Sequence, residues 1–298
     1  MRVRVALFSL IIPGSLGAQQ PAPRIETVAV APGLYMLAGQ GGNIGVSVGD
    51  DGVFLVDDQF APMTPLILEA VGKISTKPIK FLLNTHWHGD HTGGNENFGK
   101  QGVVIVAHDN VRQRMSVEQF MERFNMRVPA SPKAALPVVT FGEMVTLHLN
   151  GETIHAVHVK KAHTDGDAIV HWQQANALHL GDVYFNGMYP FIDVGSGGSV
   201  DGVIDAVTSA LGYTNDATKI IPGHGPLAVR ADLAAYRDML VAVRDRVRGL
   251  ITEGKSLAAV IAAKPSAAWD AKWGGGFMKP DDFVTAVFES LSPPVKRD

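Results

Sequence analysis

The stretch "NTHWHGDHTGG", residues 84–94, sets the tightest limit on what this chain can become. Three of its 11 histidines, His86, His88 and His91, fall within it, with Asp90 among them. Imidazoles and a carboxylate packed this closely are a metal-ligand pattern rather than scatter. On an extended backbone alternate side chains share a face, so His86 and His88 reach one ion. A turn at Gly89 carries Asp90 and His91 away, free to reach a second. The run just before, "IKFLLNT", is short and almost wholly apolar, as a buried central strand is. The motif therefore marks the point where a buried strand becomes a loop. Such a point holds functional side chains rigidly while exposing them.

A catalytic zinc takes about three protein ligands and keeps one position open. Two ions need more donors than the motif holds. The chain has no Cys, so thiolate ligands, disulfides and Cys-linked lipid anchors are excluded. The missing donors must be His and carboxylate, and three further strand ends supply them. "AHTDGD" places His163 after "IHAVHV". "LHLGDVYF" places Asp182 after "NALHL". "IIPGHGP" places His224 after "TKII".

The rest of the chain supports a mixed α/β reading. "RIETVAVAPGLYMLAG" and "NIGVSVGDDGVFLVDD" alternate apolar with small or polar residues and read as hairpins. "PMTPLILEAVGKIS" reads as a helix, and so do "NVRQRMSVEQFMERFN" and the stretches 200–212 and 230–252. Strands run from Val138 to His179. "GQGGNIG" lies between strands with no helix following, so it reads as a turn rather than a nucleotide loop. Residues 19–298 are expected to form one domain with a C-terminal helical tail past Lys264. There Trp269, Trp273 and Phe277 suit a lid or a dimer contact.

The ordered set His86-x-His88-x-Asp90-His91, His163, Asp182 and His224 resembles the metallo-β-lactamase superfamily, from about Arg24 to Leu250. That resemblance implies a four-layer αβ/βα sandwich and two Zn²⁺ per chain. It implies that His86, His88 and His163 hold the first ion, that Asp90, His91 and His224 hold the second, and that Asp182 bridges them. Asp58 stands where the superfamily often has a supporting acid, with Asp57 its rival. His148, His155, His158, His171 and His179 read as core or surface residues. His108 is a candidate for the cleft wall.

Two such zincs would share a water and lower its pKa. The resulting hydroxide would attack a carbonyl, with Asp90 as general acid/base. Tyr184, Asn186 and Tyr189 are candidates to contact the substrate and its oxyanion, or else pack beneath the loop. Met188, Tyr189, Phe191 and Ile192 offer an apolar wall, and Lys160 and Lys161 could draw an anionic substrate. β-Lactamases of the superfamily carry Cys or Ser at the place of Asp182. One subclass also has a Lys where this chain has Phe185. Asp182 is more like glyoxalase II and the homoserine-lactone lactonases. The expectation is therefore a zinc hydrolase opening a cyclic amide or ester, a β-lactam or lactone. The alternatives are a glyoxalase II-like thioesterase and a non-catalytic metal-binding periplasmic partner of another enzyme. An iron-dependent persulfide oxygenase shares parts of the motif but has no use for His91 and His224 as ligands.

Composition narrows the partners. A net charge of −3 gives no electrostatic grip on nucleic acid, so the expected partner is a small molecule. Residues 1–18 have a basic start at Arg2 and Arg4, a short apolar run and small residues at Ser15, Gly17 and Ala18. That is the architecture of a secretory signal. It implies a periplasmic or secreted protein with no membrane anchor after cleavage.

Overall fold

The computed structural model describes residues 23–292, so the signal segment lies outside the described residues. Among the described residues two sheets lie face to face. The first joins β1 (Glu26–Ala31), β2 (Leu34–Ala38), β3 (Ile44–Gly49), β4 (Gly52–Val56), β5 (Ile79–Leu83) and β6 (Val104–His108). A separate hairpin of β7 (Gln119–Met121) and β8 (Met126–Val128) follows, and β9 (Val139–Phe141) then completes that sheet beside β6. The second sheet runs in chain order through β10 (Met144–Leu149), β11 (Glu152–His158), β12 (Ala168–Trp172), β13 (Ala177–His179), β14 (Lys219–Ile221) and β15 (Ala228–Val229).

β1 to β4 pair antiparallel, whereas β4, β5, β6 and β9 are parallel. A parallel strand is covered on both faces and therefore reads as a continuous apolar run. In β4, "GVFLV", every residue is buried. Its alternation sorts two layers: Phe54 and Val56 face the second sheet, while Val53 and Leu55 face helices. Between the sheets Phe54 meets Trp172 edge-on, 6.3 Å between ring centres. Phe54→Ala at this fully buried position is expected to cost about 3–5 kcal/mol.

Outside the first sheet pack α1 (Thr64–Ile74), through Ile67 and Val71, and Phe98 of the short helix Asn95–Lys100. Outside the second sheet pack the helices Val200–Gly212, Arg230–Thr252 and Pro280–Leu291. The three apolar layers stack helix, sheet, sheet, helix, the αβ/βα sandwich that the resemblance implies.

One helix is shorter than its pattern suggests. "NVRQRMSVEQFMERFN" is helical only over Asp109–Met115, and the rest is the β7–β8 hairpin. Asn125 turns that hairpin in the left-handed region, φ 46°, a conformation Asn tolerates better than most residues. Its outward apolar side chains imitate a helical period without a helix to carry them.

Candidate metal centre

Every candidate donor sits just past the end of a strand. β5 delivers His86, His88, Asp90 and His91; β11 delivers His163; β13 delivers Asp182; β14 delivers His224. The loop after β5 is pinned at its base by Asn84 and Asn95. Their amides pair reciprocally at 3.0 and 2.8 Å. A one-turn helix, Gly89–Thr92, then swings Asp90 and His91 away from His88.

The structure brings all seven side chains together in two groups. Ligand atoms of His86, His88, His163 and Asp182 lie within 4.8 Å of one another, and so do those of Asp90, His91 and His224. Asp182 stands between the groups. Its Oδ2 is 3.8 Å from His86 Nε2 and 3.5 Å from His163 Nε2. Its Oδ1 is 3.1 Å from His91 Nε2 and 3.4 Å from His224 Nε2.

The outward nitrogen of each inner imidazole is held from behind. His86 Nδ1 lies 3.0 Å from Thr85 Oγ1. His163 Nδ1 donates to the Phe191 carbonyl at 2.7 Å. His88 Nε2 meets Asp193 Oδ2 at 2.9 Å, which leaves its Nδ1 facing inward. His91 Nδ1 lies 2.8 Å from Asp57 Oδ2. Such outer contacts fix the tautomer and raise ligand basicity.

Asp57, not Asp58, is therefore the acid behind His91. It also accepts from Thr85 N and Oγ1, at 2.7 and 2.8 Å. Asp57 reaches this place from a left-handed backbone, φ 66°, the kind of strain that surrounding structure must hold. Asp58 points the other way and accepts from Gly94 N at 2.9 Å. Burial lifts its carboxyl well above the usual carboxylate range. The glycine-rich turn has a packing reason as well. A Cβ on Gly42 would lie 2.1 Å from the His91 ring.

Without metal the two groups differ in charge. Burial, reinforced by its imidazole neighbours, keeps His86 well below the ordinary histidine value. Burial pulls His163 down to about 4. In the other group burial also opposes charge, but Asp182 and Asp90 overcome it and lift His224 to about 9. His91 is raised well above its usual value by Asp182, Asp90 and Asp57. Burial works to raise Asp90, yet His91 and His224 pull it down to about 2. Asp182 is ionised for the same reason.

The donors fit a cation of the zinc type. His86 Nε2 is buried with no hydrogen-bond partner, and His88 Nδ1 lies 2.9 Å from His163 Nε2. Nitrogen lone pairs thus converge on a point that a metal satisfies. Imidazole with carboxylate is a donor set suited to zinc.

The predicted substrate contacts lie elsewhere. Tyr184 is fully buried against Tyr236, 5.0 Å between rings. Tyr189 stacks on Phe283 at 4.5 Å and donates its hydroxyl to Asp270 at 2.8 Å. Asn186 donates to the Pro226 carbonyl at 2.9 Å. The two tyrosines pack beneath the loop, because the chain after Asp182 folds back onto the helices outside the second sheet, while Asn186 is half-buried beside His224 and does not line the cleft. His108 caps the helix Asp109–Met115 and stacks on His158 rather than facing the cleft. Of the expected apolar wall, Met188 and Phe191 line the cleft, while Tyr189 and Ile192 belong to the core. Lys160 and Lys161 are exposed and outside the cleft lining.

That cleft has a volume of about 590 Å³, with His88, Asp90, Asp182 and His224 at its floor. Its walls include Trp87, Phe185 and the hairpin residues Phe124 and Met126. Asp193 and the hairpin are the parts that sequence reasoning missed. Asp193 had one signal: it is the only acid between Asp182 and Asp201, set in the Gly/Ser-rich "DVGSGGS".

The family profile of the metallo-beta-lactamase superfamily matches residues 38–224, which hold all seven donors. The chain belongs to the metallo-beta-lactamase superfamily. A hydroxyacylglutathione hydrolase from Polaromonas sp. is 28% identical over 187 residues, 59% of this chain. The match spans 63% of that relative's own length. A metallo-beta-lactamase from Pontibacter korlensis superposes with TM-score 0.60 at 18% identity, over 73% of this chain and 99% of that one. The sec-alkylsulfatase Pisa1 from Pseudomonas sp. gives TM-score 0.66 at 19% identity, over 89% of this chain and 50% of that one. At such identities the structural likeness shows the fold.

Proposed function

We propose that this protein is an exported dizinc hydrolase that cleaves an ester bond, a lactone above all. The observation that carries the reading is Asp182 reaching both donor groups at the floor of one open cleft. His86, His88 and His163 would hold one ion, Asp90, His91 and His224 the other, with Asp182 placed to serve both. Bound there, zinc supplies the Lewis acidity that polarises a carbonyl and acidifies a water. Asp90 is ionised and its side chain is 25% exposed, so its carboxylate can orient the attacking water and accept its proton. Asp57, Asp193 and the Phe191 carbonyl hold the imidazoles in their working tautomers.

The ester is preferred to the lactam on electrostatic grounds. A β-lactam brings a carboxylate. Phe185, at the place of a carboxylate-gripping Lys, stacks on His224 instead, 5.2 Å between rings. Among the described residues Arg127 is the one Lys or Arg lining the cleft, and it is exposed and paired with Glu118 at 2.5 Å. The likeness to hydroxyacylglutathione hydrolase supports a thioesterase as a second reading. A glutathione moiety carries two carboxylates, which this lining matches poorly.

The test begins with metal analysis of the mature chain, where two zincs per chain are expected and a single iron would overturn the reading. A chromogenic β-lactam, γ-lactones and thioesters are then assayed with Asp90→Asn as the blank. Lactone turnover that falls about 10²-fold or more in a metal-replete Asp90→Asn supports the assignment. Two bound zincs without turnover of any of these would favour a metal-binding partner protein.

A further inference from the structure

The hairpin that the helical reading missed stands over the metal centre, and its side chains are unusual for a surface. Phe124 is 39% exposed, Met126 45%, and Phe277, from the far C-terminal region, 64%. All three line the cleft. Large apolar side chains gathered and exposed around one opening mark a binding surface.

The hairpin is held in place from two sides. Phe124 packs on Phe191 and Phe277, with ring centres 5.2 and 5.8 Å away. One residue earlier, Arg123 is ion-paired with Asp282, in the first turn of the helix Pro280–Leu291. An aromatic contact and an ion pair thus clasp the hairpin tip to the C-terminal region. Phe191 also supplies the carbonyl that orients His163. The aromatic roof and the metal donors therefore share a residue, so an occupant of the roof lies beside the reacting bond.

We infer that the β7–β8 hairpin and Phe277 form the subsite for a linear hydrocarbon tail on the substrate's acyl or alkoxy side. The inference rests on the ester-hydrolase reading and names its substrate class. The cleft is continuous with the metal donors and walled by Trp87, Phe124, Phe185, Phe191 and Phe277. Its exposed cation is already paired. A chain without charge or hydrogen-bonding groups is the occupant that leaves nothing unsatisfied there.

The experiment uses the mature zinc-loaded protein and two probe series of rising chain length. One series is p-nitrophenyl esters from acetate to decanoate, read as kcat/KM. The other is the free n-alkyl carboxylates, read as Kd by calorimetry, which needs no turnover. Each added methylene should improve both by about fourfold until the subsite is filled. Phe124→Ala and Phe277→Ala should each flatten the dependence, lowering the decanoate-to-acetate ratio at least tenfold. Arg123→Ala, which releases the clasp without removing a ring, should lower it less. Phe124→Leu should keep most of it, separating lost apolar area from a misfolded hairpin.

Carboxylate affinity that rises with length while no ester turns over would sink the ester-hydrolase reading and leave the subsite standing. Ester turnover with no length dependence in either series would do the reverse. A length dependence untouched by both Ala variants would overturn the placement. A wild-type dimer that Phe277→Ala dissociates, with flat series throughout, would assign the apolar rim to a second copy of the chain.

Discussion

The two donor groups share Asp182 but are built to different rules. The first is dry: His86, His88 and His163 are 1%, 5% and 0% exposed, and each is held from behind. Its imidazoles His86 and His163 are kept neutral by burial, so they present lone pairs without first losing a proton. The second opens to the cleft through Asp90 and His224, whose side chains are each 25% exposed. Its histidines are held protonated by carboxylates. On the two-ion proposal, the difference would make one ion a fixture and the other exchangeable. A rigid preorganised cage resists loss, while a wetter cage that must shed protons binds more weakly and responds to pH.

The largest expected effect comes from removing what the groups share. Asp182→Ala should reduce zinc content below one per chain at micromolar free metal and lower turnover more than about a hundredfold, beyond the range for outer contacts. Two zincs retained in that variant would show the groups to be independent.

Next come the outer acids, which divide the groups. Asp193→Ala should weaken the first ion alone, by about 10–100-fold. Asp57→Ala should weaken both, since Asp57 backs His91 directly and His86 through Thr85. Chelator competition resolving two steps checks this; equal effects of the two variants on both steps would erase the distinction drawn here.

The pH response is smaller and has a definite sign. His224 must lose a proton to bind metal, and its metal-free value is about 9. His224 alone should therefore make affinity for the second ion rise about tenfold per unit up to pH 9, and His91, also held protonated, should steepen that rise. His163, at about 4, is already deprotonated over pH 5–8, so the first ion should bind with little pH dependence there. In the metal-free protein the same values act on stability in opposite directions. His224, raised from 6.5, contributes stability that is present below 6.5 and lost as pH climbs toward 9. His163, lowered from 6.5, contributes stability that is lost as pH falls from 6.5 toward 4. These two residues by themselves would place the maximum near pH 6.5, and Asp167, raised to about 7 by burial, acts against His163 below it. The pH dependence of thermal unfolding in the chelated protein and its His224→Ala variant isolates the His224 share.

The smallest effect tests a residue outside both groups. Tyr184 has a buried hydroxyl with no hydrogen-bond partner. Tyr184→Phe should leave kcat within about twofold and be neutral or stabilising by about 1 kcal/mol. A large fall in kcat would return Tyr184 to the oxyanion role.

What the sequence displayed and what it concealed divide along a physical line. The donors were legible because metal ligation demands particular side chains at strand ends, and "FLLNTHWHGDH", "ALHLGD" and "IIPGHG" show an apolar run meeting a donor. The layers were legible because β4 is buried on both faces and reads as an unbroken apolar run, and β5 is broken only by the exposed Lys80 before its buried end at Leu82 and Leu83. Direction was not. Tyr184 and Tyr189 follow Asp182 closely, yet the chain there folds into the core, and only tertiary packing decides that. Asp57 and Asp58 are chemically identical neighbours, separated only by the positive φ at Asp57. The hairpin concealed itself because its outward apolar side chains carry the same spacing as an apolar face for a core.

The seven donors are divided between the halves of the chain. His86 to His91 come from the first sheet, and His163, Asp182 and His224 from the second. His91 and His224 meet across a separation of 133 residues. A ribosome has released the first four donors long before the last exists. Neither cage is whole until donors from the second sheet exist, so the metal would be acquired late in assembly, as a bolt driven through two plates already aligned. The choice of metal then falls to the compartment where folding finishes.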